Sequence, residues 1–164
     1  MNEPPPKQSR GFIGFLFALP VPWVFVLGYL AGAGLEVLFL PRKYRLAADF
    51  LGPAGLALFV AGALIAGWGW MIFHRKGTTR VPGEASIALV IDGPYRVTRN
   101  PMYVGLTIAY IGEAAIQRQI VPLAMLILVL AYVNWVVIPV EERRLREVFG
   151  PAYDAYRAKV RRWL

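Results

Sequence analysis

The sequence predicts an all-α, polytopic membrane protein with about four transmembrane helices and a C-terminal amphipathic helical tail. Of the 164 residues, 57% are hydrophobic and 17% are charged, and the mean hydropathy is +0.50. Soluble domains are about half apolar and about a quarter charged, so this composition indicates a lipid environment. Long uncharged runs alternate with polar segments, and the basic residues that give a formal charge of +8 lie between these runs. Such an arrangement is typical of loops beside a membrane surface.

The length of the chain suits a single domain, which we expect over residues 1–164. Its parts follow one another along the sequence. Residues 1–73 contain the first two spans, 74–100 form a polar loop, 101–140 form a transmembrane hairpin, and 141–164 form a helical tail.

The first apolar run, Phe12–Leu40, contains Glu36 as its only charged residue. As one straight helix it would measure about 43 Å, which exceeds a hydrocarbon core of about 30 Å. Pro20 and Pro22 predict a break within the run. We therefore expect one span near Trp23–Leu40, preceded by an interfacial piece.

The second uncharged run, Phe50–Phe73, is rich in Gly and Ala. Small residues in transmembrane helices allow the backbones of two helices to approach closely. The residues expected to form such contacts are Gly28 and Gly32 in the first span and Ala57, Ala61 and Gly62 in the second.

Residues 74–100 form the longest polar segment, which Gly and Pro punctuate throughout. They predict an ordered loop with one short apolar insert, Ile87–Ile91. A third apolar run, Pro101–Ile116, is short for a span, and a fourth, Ile120–Val140, follows after a few polar residues. This tight connection predicts that the third and fourth runs form an antiparallel hairpin.

The tail is charged from Glu141 to its end, and Gly150-Pro151 is expected to separate two short helices. Apolar and aromatic side chains recur at helical spacing among basic ones, a pattern typical of an interfacial amphipathic helix. They are Phe149, Tyr153, Tyr156, Val160 and Trp163. This pattern favours the lipid bilayer as partner and argues against nucleic acid.

The distribution of Lys and Arg predicts the orientation in the membrane. With four spans, 14 of these residues lie on the side of the termini and the 74–100 loop, and 4 lie on the other side. Positively charged loops stay in the cytoplasm. Both termini and the 74–100 loop, with any active site there, are therefore expected on the cytoplasmic side of the membrane.

The composition excludes several kinds of chemistry. The chain has no cysteine, and His74 is its only histidine. Disulfides, thiol nucleophiles and Cys or His zinc sites are thereby excluded, and we predict no metal site. Any reaction must rely on carboxylates, Arg, Tyr, Asn, backbone groups or a cofactor.

Polar residues gather at the cytoplasmic ends of the hairpin. The third run begins at Arg99-Asn100-Pro101-Met102-Tyr103, and the fourth ends at Glu141-Glu142. The hairpin places both ends at the same membrane face, where they can form a pocket open to water and to lipid. Asn134 lies seven residues before Glu141, so a regular helix would put both on one stripe and extend the pocket into the membrane.

Two motifs in this part of the chain resemble the superfamily of isoprenylcysteine carboxyl methyltransferases and phospholipid methyltransferases. The first is Gly93-Pro94-Tyr95-Arg96-x-x-Arg99-Asn100-Pro101-Met102-Tyr103-x-Gly105, and the second is Glu141-Glu142-x-x-Leu145-x-x-x-Phe149-Gly150-x-x-Tyr153-x-x-Tyr156. The resemblance covers about residues 80–162, with the hairpin between the two motifs as in the family.

The resemblance implies S-adenosylmethionine (SAM) as methyl donor, bound at the cytoplasmic membrane face without a Rossmann fold. By the family pattern, Glu141 pairs with the ammonium group of SAM. The other cofactor-binding residues that it implies are Ile87, Ala88, Leu89 and Val90, largely through their backbone, and Tyr95, Asn100, Pro101, Met102 and Tyr103. The candidate catalytic residues are Glu142, Arg99 and Asn134.

The sequence departs from the family pattern at two positions. Asn100 replaces a histidine, and its amide cannot titrate near neutral pH. Val137 stands where isoprenylcysteine enzymes carry an arginine that meets the substrate carboxylate. A prenylcysteine carboxylate is therefore a less favoured acceptor. We also expect Glu36 and Glu113 to be structural and to pair with Arg42, Lys43 or Arg118.

These observations favour an integral membrane methyltransferase acting on a lipophilic or membrane-delivered acceptor. A phospholipid amine, an isoprenoid carboxylate and similar acceptors stay open, as does the oligomeric state. Two alternatives remain: an NADPH-dependent membrane reductase of the sterol C14-reductase type, and a non-catalytic membrane scaffold.

Overall fold

The computed structural model describes residues 20–40, 49–75 and 88–164. Its α-helices are α1 (Val21–Phe39), α2 (Leu51–Arg75), α3 (Pro101–Ile116), α4 (Val121–Tyr132), α5 (Ile138–Phe149) and α6 (Pro151–Lys159). A 3₁₀ helix, Gly93–Arg96, precedes α3, and a π-helix, Val133–Val137, joins α4 to α5. Within these residues no strand forms, and pairing of the β type is confined to an isolated bridge between Thr98 and Arg161. The predicted all-α fold class is confirmed.

Among the described residues, α1, α2 and the continuous helix Val121–Phe149 are long and apolar enough to cross a membrane. One further apolar helix, α3, has 16 residues and measures about 24 Å. This length is short for a hydrocarbon core of about 30 Å. Large apolar side chains cover the outside of these helices, as expected of surfaces that face lipid. The chain is a polytopic membrane protein, as the sequence predicts.

The N-terminal end of α1 lies close to the predicted beginning of the first span, whereas the interfacial piece expected before it lies outside the described residues. The helix begins directly after Pro20, whose carbonyl oxygen accepts a hydrogen bond of 2.9 Å from the backbone N–H of Trp23. Proline suits this position because backbone N–H groups at the beginning of a helix have no acceptor within the helix. A residue without an N–H group therefore loses no helical hydrogen bond there. The first span therefore starts within two residues of the predicted position.

Glycines bring α1 against α4. A Cβ atom on Gly32 would lie 2.7 Å from the Cα atom of Pro122, and one on Gly28 would overlap the side chain of Val129. Only glycine lets the two helices approach this closely. The sequence prediction for Gly28 and Gly32 is thus confirmed.

The contact between α2 and α3 also uses glycines, although not all of the predicted residues take part. Gly62 forms a close contact as predicted, with Gly105 as its neighbour, whereas Ala57 and Ala61 are exposed on the outside of α2. The contact face instead contains glycines spaced seven residues apart, which places them on one stripe of the helix. They are Gly55, Gly62 and Gly69.

Glu36 joins α1 to the beginning of α4. Its carboxylate is buried, with 4% of the residue exposed, and Oε2 accepts hydrogen bonds from the backbone N–H groups of Ile120 (2.8 Å) and Val121 (2.9 Å). The structural role expected for Glu36 fits this contact, but its partners are backbone amides at a helix N-terminus, where a negative charge is favourable. Arg118, one of the expected partners, lies 3.7 Å from Asp49 instead.

The other membrane glutamate, Glu113, makes a weaker local contact. Its Oε1 atom accepts a hydrogen bond of 3.1 Å from Nε2 of Gln117, four residues later, and this contact is exposed. The other two expected partners, Arg42 and Lys43, lie outside the described residues.

Replacing Glu36 with alanine is expected to lower the free energy of unfolding by about 1–3 kcal/mol, because two partly buried backbone N–H groups lose their acceptor. Thermal unfolding in detergent measures this loss. Glu113→Ala is the matched control, since it removes a carboxylate with one exposed contact, and its midpoint should stay near that of the wild type. Equal midpoints for the wild type and Glu36→Ala would contradict the capping role.

Candidate functional site

The two ends of the hairpin meet through Tyr103 and Glu141. The Tyr103 hydroxyl donates a hydrogen bond of 2.8 Å to Oε1 of Glu141. Tyr103 lies in the first turn of α3 with 1% of its surface exposed, and Glu141 lies near the beginning of α5. The two ends of the hairpin therefore meet at one end of the helices, as predicted, and the buried phenol of Tyr103 holds the Glu141 carboxylate in place.

Glu142, the next residue, is held by two arginines. Its Oε1 atom lies 3.0 Å from NH1 of Arg99, and Arg162 donates to Oε1 at 3.2 Å and to Oε2 at 2.8 Å. The Glu142 side chain is 13% exposed, so these charges are largely removed from water. Because guanidinium groups occupy both carboxylate oxygens, Glu142 and Arg99 suit a positioning role better than that of a free acid or base.

Arg162 belongs to a C-terminal strap, defined as residues 160–164, which lies against the residues before α3. Its carbonyl oxygen accepts hydrogen bonds from Oγ1 of Thr98 (3.1 Å) and Nδ2 of Asn100 (2.9 Å). The Arg99 N–H donates to the carbonyl oxygen of Arg161 at 2.9 Å. Asn100 thus holds the strap through its side-chain amide. Because an amide has no titrating proton, this contact can form at any pH.

Tyr95 connects the 3₁₀ helix to two other elements. It is buried, and its hydroxyl donates a long hydrogen bond of 3.4 Å to the carbonyl oxygen of Gly69 in α2. Its own carbonyl oxygen accepts one of 2.8 Å from the Tyr156 hydroxyl in α6. Burial raises the pKa of Tyr156 above its ordinary value, so that hydroxyl keeps its proton as a donor at neutral pH.

The remaining predicted cofactor residues fall into two groups. Pro101 and Met102 are buried at the beginning of α3, where Met102 packs near Gly69. In the segment before the 3₁₀ helix, Val90 is buried, and Ala88 and Leu89 are half-buried. Ile87 lies outside the described residues. The structure therefore brings Tyr95, Asn100–Tyr103 and Glu141 to one end of the helices.

An apolar cavity of about 700 Å³ lies beside this end, between α3 and α4. Its size is within the usual range for ligand pockets, about 300–1,000 Å³. The residues that line it are Val104, Thr107, Ile108, Ile127, Leu130, Ala131, Asn134, Trp135, Trp163 and Leu164. All ten side chains are uncharged, so among the described residues the lining suits an apolar ligand.

Asn134 and Trp163 form a polar contact within the cavity. The indole Nε1–H of Trp163 donates a hydrogen bond of 3.0 Å to Oδ1 of Asn134. The sequence pattern assigned Trp163 only to a membrane-facing stripe and did not identify it as a neighbour of the site. The two partners are 29 positions apart, and the sequence between them carries no signal for this contact.

The π-helix changes the reasoning that placed Asn134 and Glu141 on one stripe. Val133 accepts the backbone hydrogen bond of Ile138, five residues later, so the helix turns less per residue here than an α-helix. The seven-residue spacing alone therefore no longer aligns the two side chains. Asn134 nevertheless lines the cavity, while Glu141 contacts Tyr103.

Comparison with known proteins adds one finding. The model of the phospholipid methyltransferase family matches residues 52–152, which is more than half of the chain. This range extends from α2 to the beginning of α6 and includes Tyr103, Asn134 and Glu141, whereas α1 and the C-terminal strap lie outside it. No curated protein and no solved structure matches the chain significantly.

Proposed function

Because the chain belongs to the phospholipid methyltransferase family, we propose that it is a SAM-dependent methyltransferase that modifies a lipophilic acceptor at the membrane face. The observation that carries this proposal is the contact between the buried Tyr103 and Glu141, which lies at the same end of the helices as the other predicted cofactor residues. The apolar cavity between α3 and α4 supplies a place for a lipophilic molecule.

The residues present fit SAM. Glu141 offers a carboxylate for the ammonium group of the methionine part, and the Tyr103 hydroxyl keeps that carboxylate in place. Tyr95, Asn100, Pro101 and Met102 line the same end of the helices. Ala88, Leu89 and Val90, with Ile87 outside the described residues, complete the proposed cofactor set.

SAM supplies an activated methyl group on a sulfonium when bound. The protein's own task is then to align the acceptor with that group and to keep water out. The buried Tyr103 and the strap, held across the residues before α3, fit this task. In this proposal Arg99 and Glu142 are positioning residues that hold the strap, and Asn134 meets the acceptor.

We propose that the acceptor is a phospholipid amine, the class that the family name indicates. The experiment uses the purified protein in lipid nanodiscs that contain phosphatidylethanolamine and SAM with a tritiated methyl group. We expect tritium in the extracted lipid. Absence of labelled lipid would contradict the phospholipid acceptor, and saturable binding of NADPH by the same preparation would indicate the membrane reductase instead.

We also propose that the site faces the cytoplasm. The contacts between the strap and residues 98–100 place the tail and the beginning of α3 at one end of the helices, and Gln117 lies at the other end of α3. In this cysteine-free chain, Ala155→Cys should react with a membrane-impermeant maleimide only after the cells are opened, whereas Gln117→Cys should react in intact cells. The reverse pattern would contradict the orientation, and labelling of both in intact cells would contradict the number of spans.

A further inference from the structure

Trp163 determines how the Asn134 side chain is oriented. Only the amide oxygen can accept the indole N–H, so the hydrogen bond of 3.0 Å places Oδ1 toward Trp163. The NH₂ group of Asn134 then has two donors, and among the described residues no acceptor binds them. Asn134 lines the cavity, so these donors are available to a molecule that occupies it.

The cavity around Asn134 is suited to the apolar part of a lipid. It lies between α3 and α4, and its lining includes Ile127 and Trp135, two of the most exposed apolar residues on the lipid-facing side of the helix. A lipid can therefore enter from the bilayer. Because no charged side chain lines the cavity among the described residues, an ionised group placed there would lose its hydration without compensation.

Asn134 lies further into the membrane-spanning helix Val121–Phe149 than Glu141 does. Seven residues of α-helix rise about 10 Å along the axis, and the π-helix Val133–Val137 makes the separation shorter than this. A phospholipid amine beside Glu141 would therefore bring the ester groups, which lie beyond its phosphate, near the level of Asn134. An indole side chain from the strap reaches the same level. Indole rings prefer the boundary between headgroups and acyl chains.

We propose that Asn134, oriented by Trp163, recognises an uncharged carbonyl oxygen of the lipid acceptor, in an ester or an amide, and that the cavity holds the chain next to it. The amide N–H of Asn134 donates to that oxygen. Asn134 is thus a specificity-determining residue. This inference rests on the proposed function, because it takes the reactive end of the lipid to lie beside Glu141.

The experiment compares two lipids that differ only in the carbonyl oxygens of their two chains. A phosphatidylethanolamine with a diazirine in one acyl chain is crosslinked to the full-length protein in detergent micelles and displaced by unlabelled diacyl phosphatidylethanolamine or its diether analogue. To halve crosslinking of the wild type, the diacyl lipid should be needed at a concentration about three- to tenfold lower than the diether. This ratio is expected for one neutral hydrogen bond. Crosslinked peptides should map to α3 and α4.

Variants separate the hydrogen bond from the shape of the cavity. Asn134→Leu keeps the side-chain size and should abolish the preference, and Trp163→Phe, which removes the indole donor, should reduce it. Gln117→Leu is the matched control, because it removes a side-chain amide from an exposed position at the other end of α3, outside the cavity. It should keep the wild-type preference.

Equal displacement by the two lipids in the wild type, crosslinks outside the cavity, or a preference that survives Asn134→Leu would overturn the inference. SAM binding is measured separately on the same preparations. If the folded wild type does not bind SAM, the proposed function is rejected. If it binds SAM but shows no preference for the diacyl lipid, only this inference is rejected.

Discussion

Glu141→Gln is expected to weaken SAM binding about ten- to hundredfold, which corresponds to about 1.5–3 kcal/mol for a hydrogen bond to a charged group. The substitution removes the negative charge that we assign to the ammonium group of SAM. It retains an oxygen that can accept the Tyr103 hydroxyl, so the contact between α3 and α5 should persist. Isothermal titration calorimetry with SAM measures the loss, and thermal unfolding confirms that the variant is folded.

The matched control for this variant is Glu147→Gln. Glu147 lies on the same helix, α5, and is exposed. Its substitution removes an equal charge six residues further along and should leave the affinity for SAM unchanged. A folded Glu141→Gln variant with wild-type affinity would remove Glu141 from the cofactor site.

Gly105→Leu is expected to prevent α2 and α3 from docking, so that little folded protein is recovered. A Cβ atom on Gly105 would lie 2.6 Å from the carbonyl oxygen of Gly62 and even closer to the backbone nitrogen of Ala66. Backbone atoms cannot rotate away as side chains can, so the helices themselves must separate. Because Tyr103 lies two residues earlier on α3, this separation should also remove SAM binding.

Gly105→Ala provides a graded version of the same test, with an expected loss of about 1–3 kcal/mol from overpacking. Gly67→Leu is the matched control, since a side chain at Gly67 would meet no described atom within 4 Å. Size-exclusion chromatography and thermal unfolding report both outcomes. A monodisperse Gly105→Leu variant with a wild-type unfolding midpoint would show that the glycine contact is not required.

Features set by local sequence were predicted correctly. The uncharged runs predicted the helices, Pro20 predicted the beginning of α1, and Gly150-Pro151 predicted the break between α5 and α6. The meeting of the two hairpin ends also followed from the sequence, because a short connection forces two helices to run antiparallel, although the hydrogen bond between Tyr103 and Glu141 was not predicted. Each of these features depends on neighbouring residues or on one hairpin.

Features that depend on contacts distant in sequence were not predicted. The strap reaches Asn100 and Asn134 across 62 and 29 residues, and nothing in the tail indicates this. The π-helix breaks the regular spacing on which the stripe argument depended. Glu36 found backbone amides rather than a basic side chain, and the identities of the residues do not reveal such partners.

Equilibrium binding of SAM to the wild-type protein in detergent, with NADPH titrated under the same conditions, decides between a methyltransferase and its rivals. We expect saturable binding of SAM, competition by its product S-adenosylhomocysteine, and no heat from NADPH. The affinity should fall in Glu141→Gln and remain in Glu147→Gln. A folded wild-type protein that binds NADPH in place of SAM, or binds neither, would contradict the account.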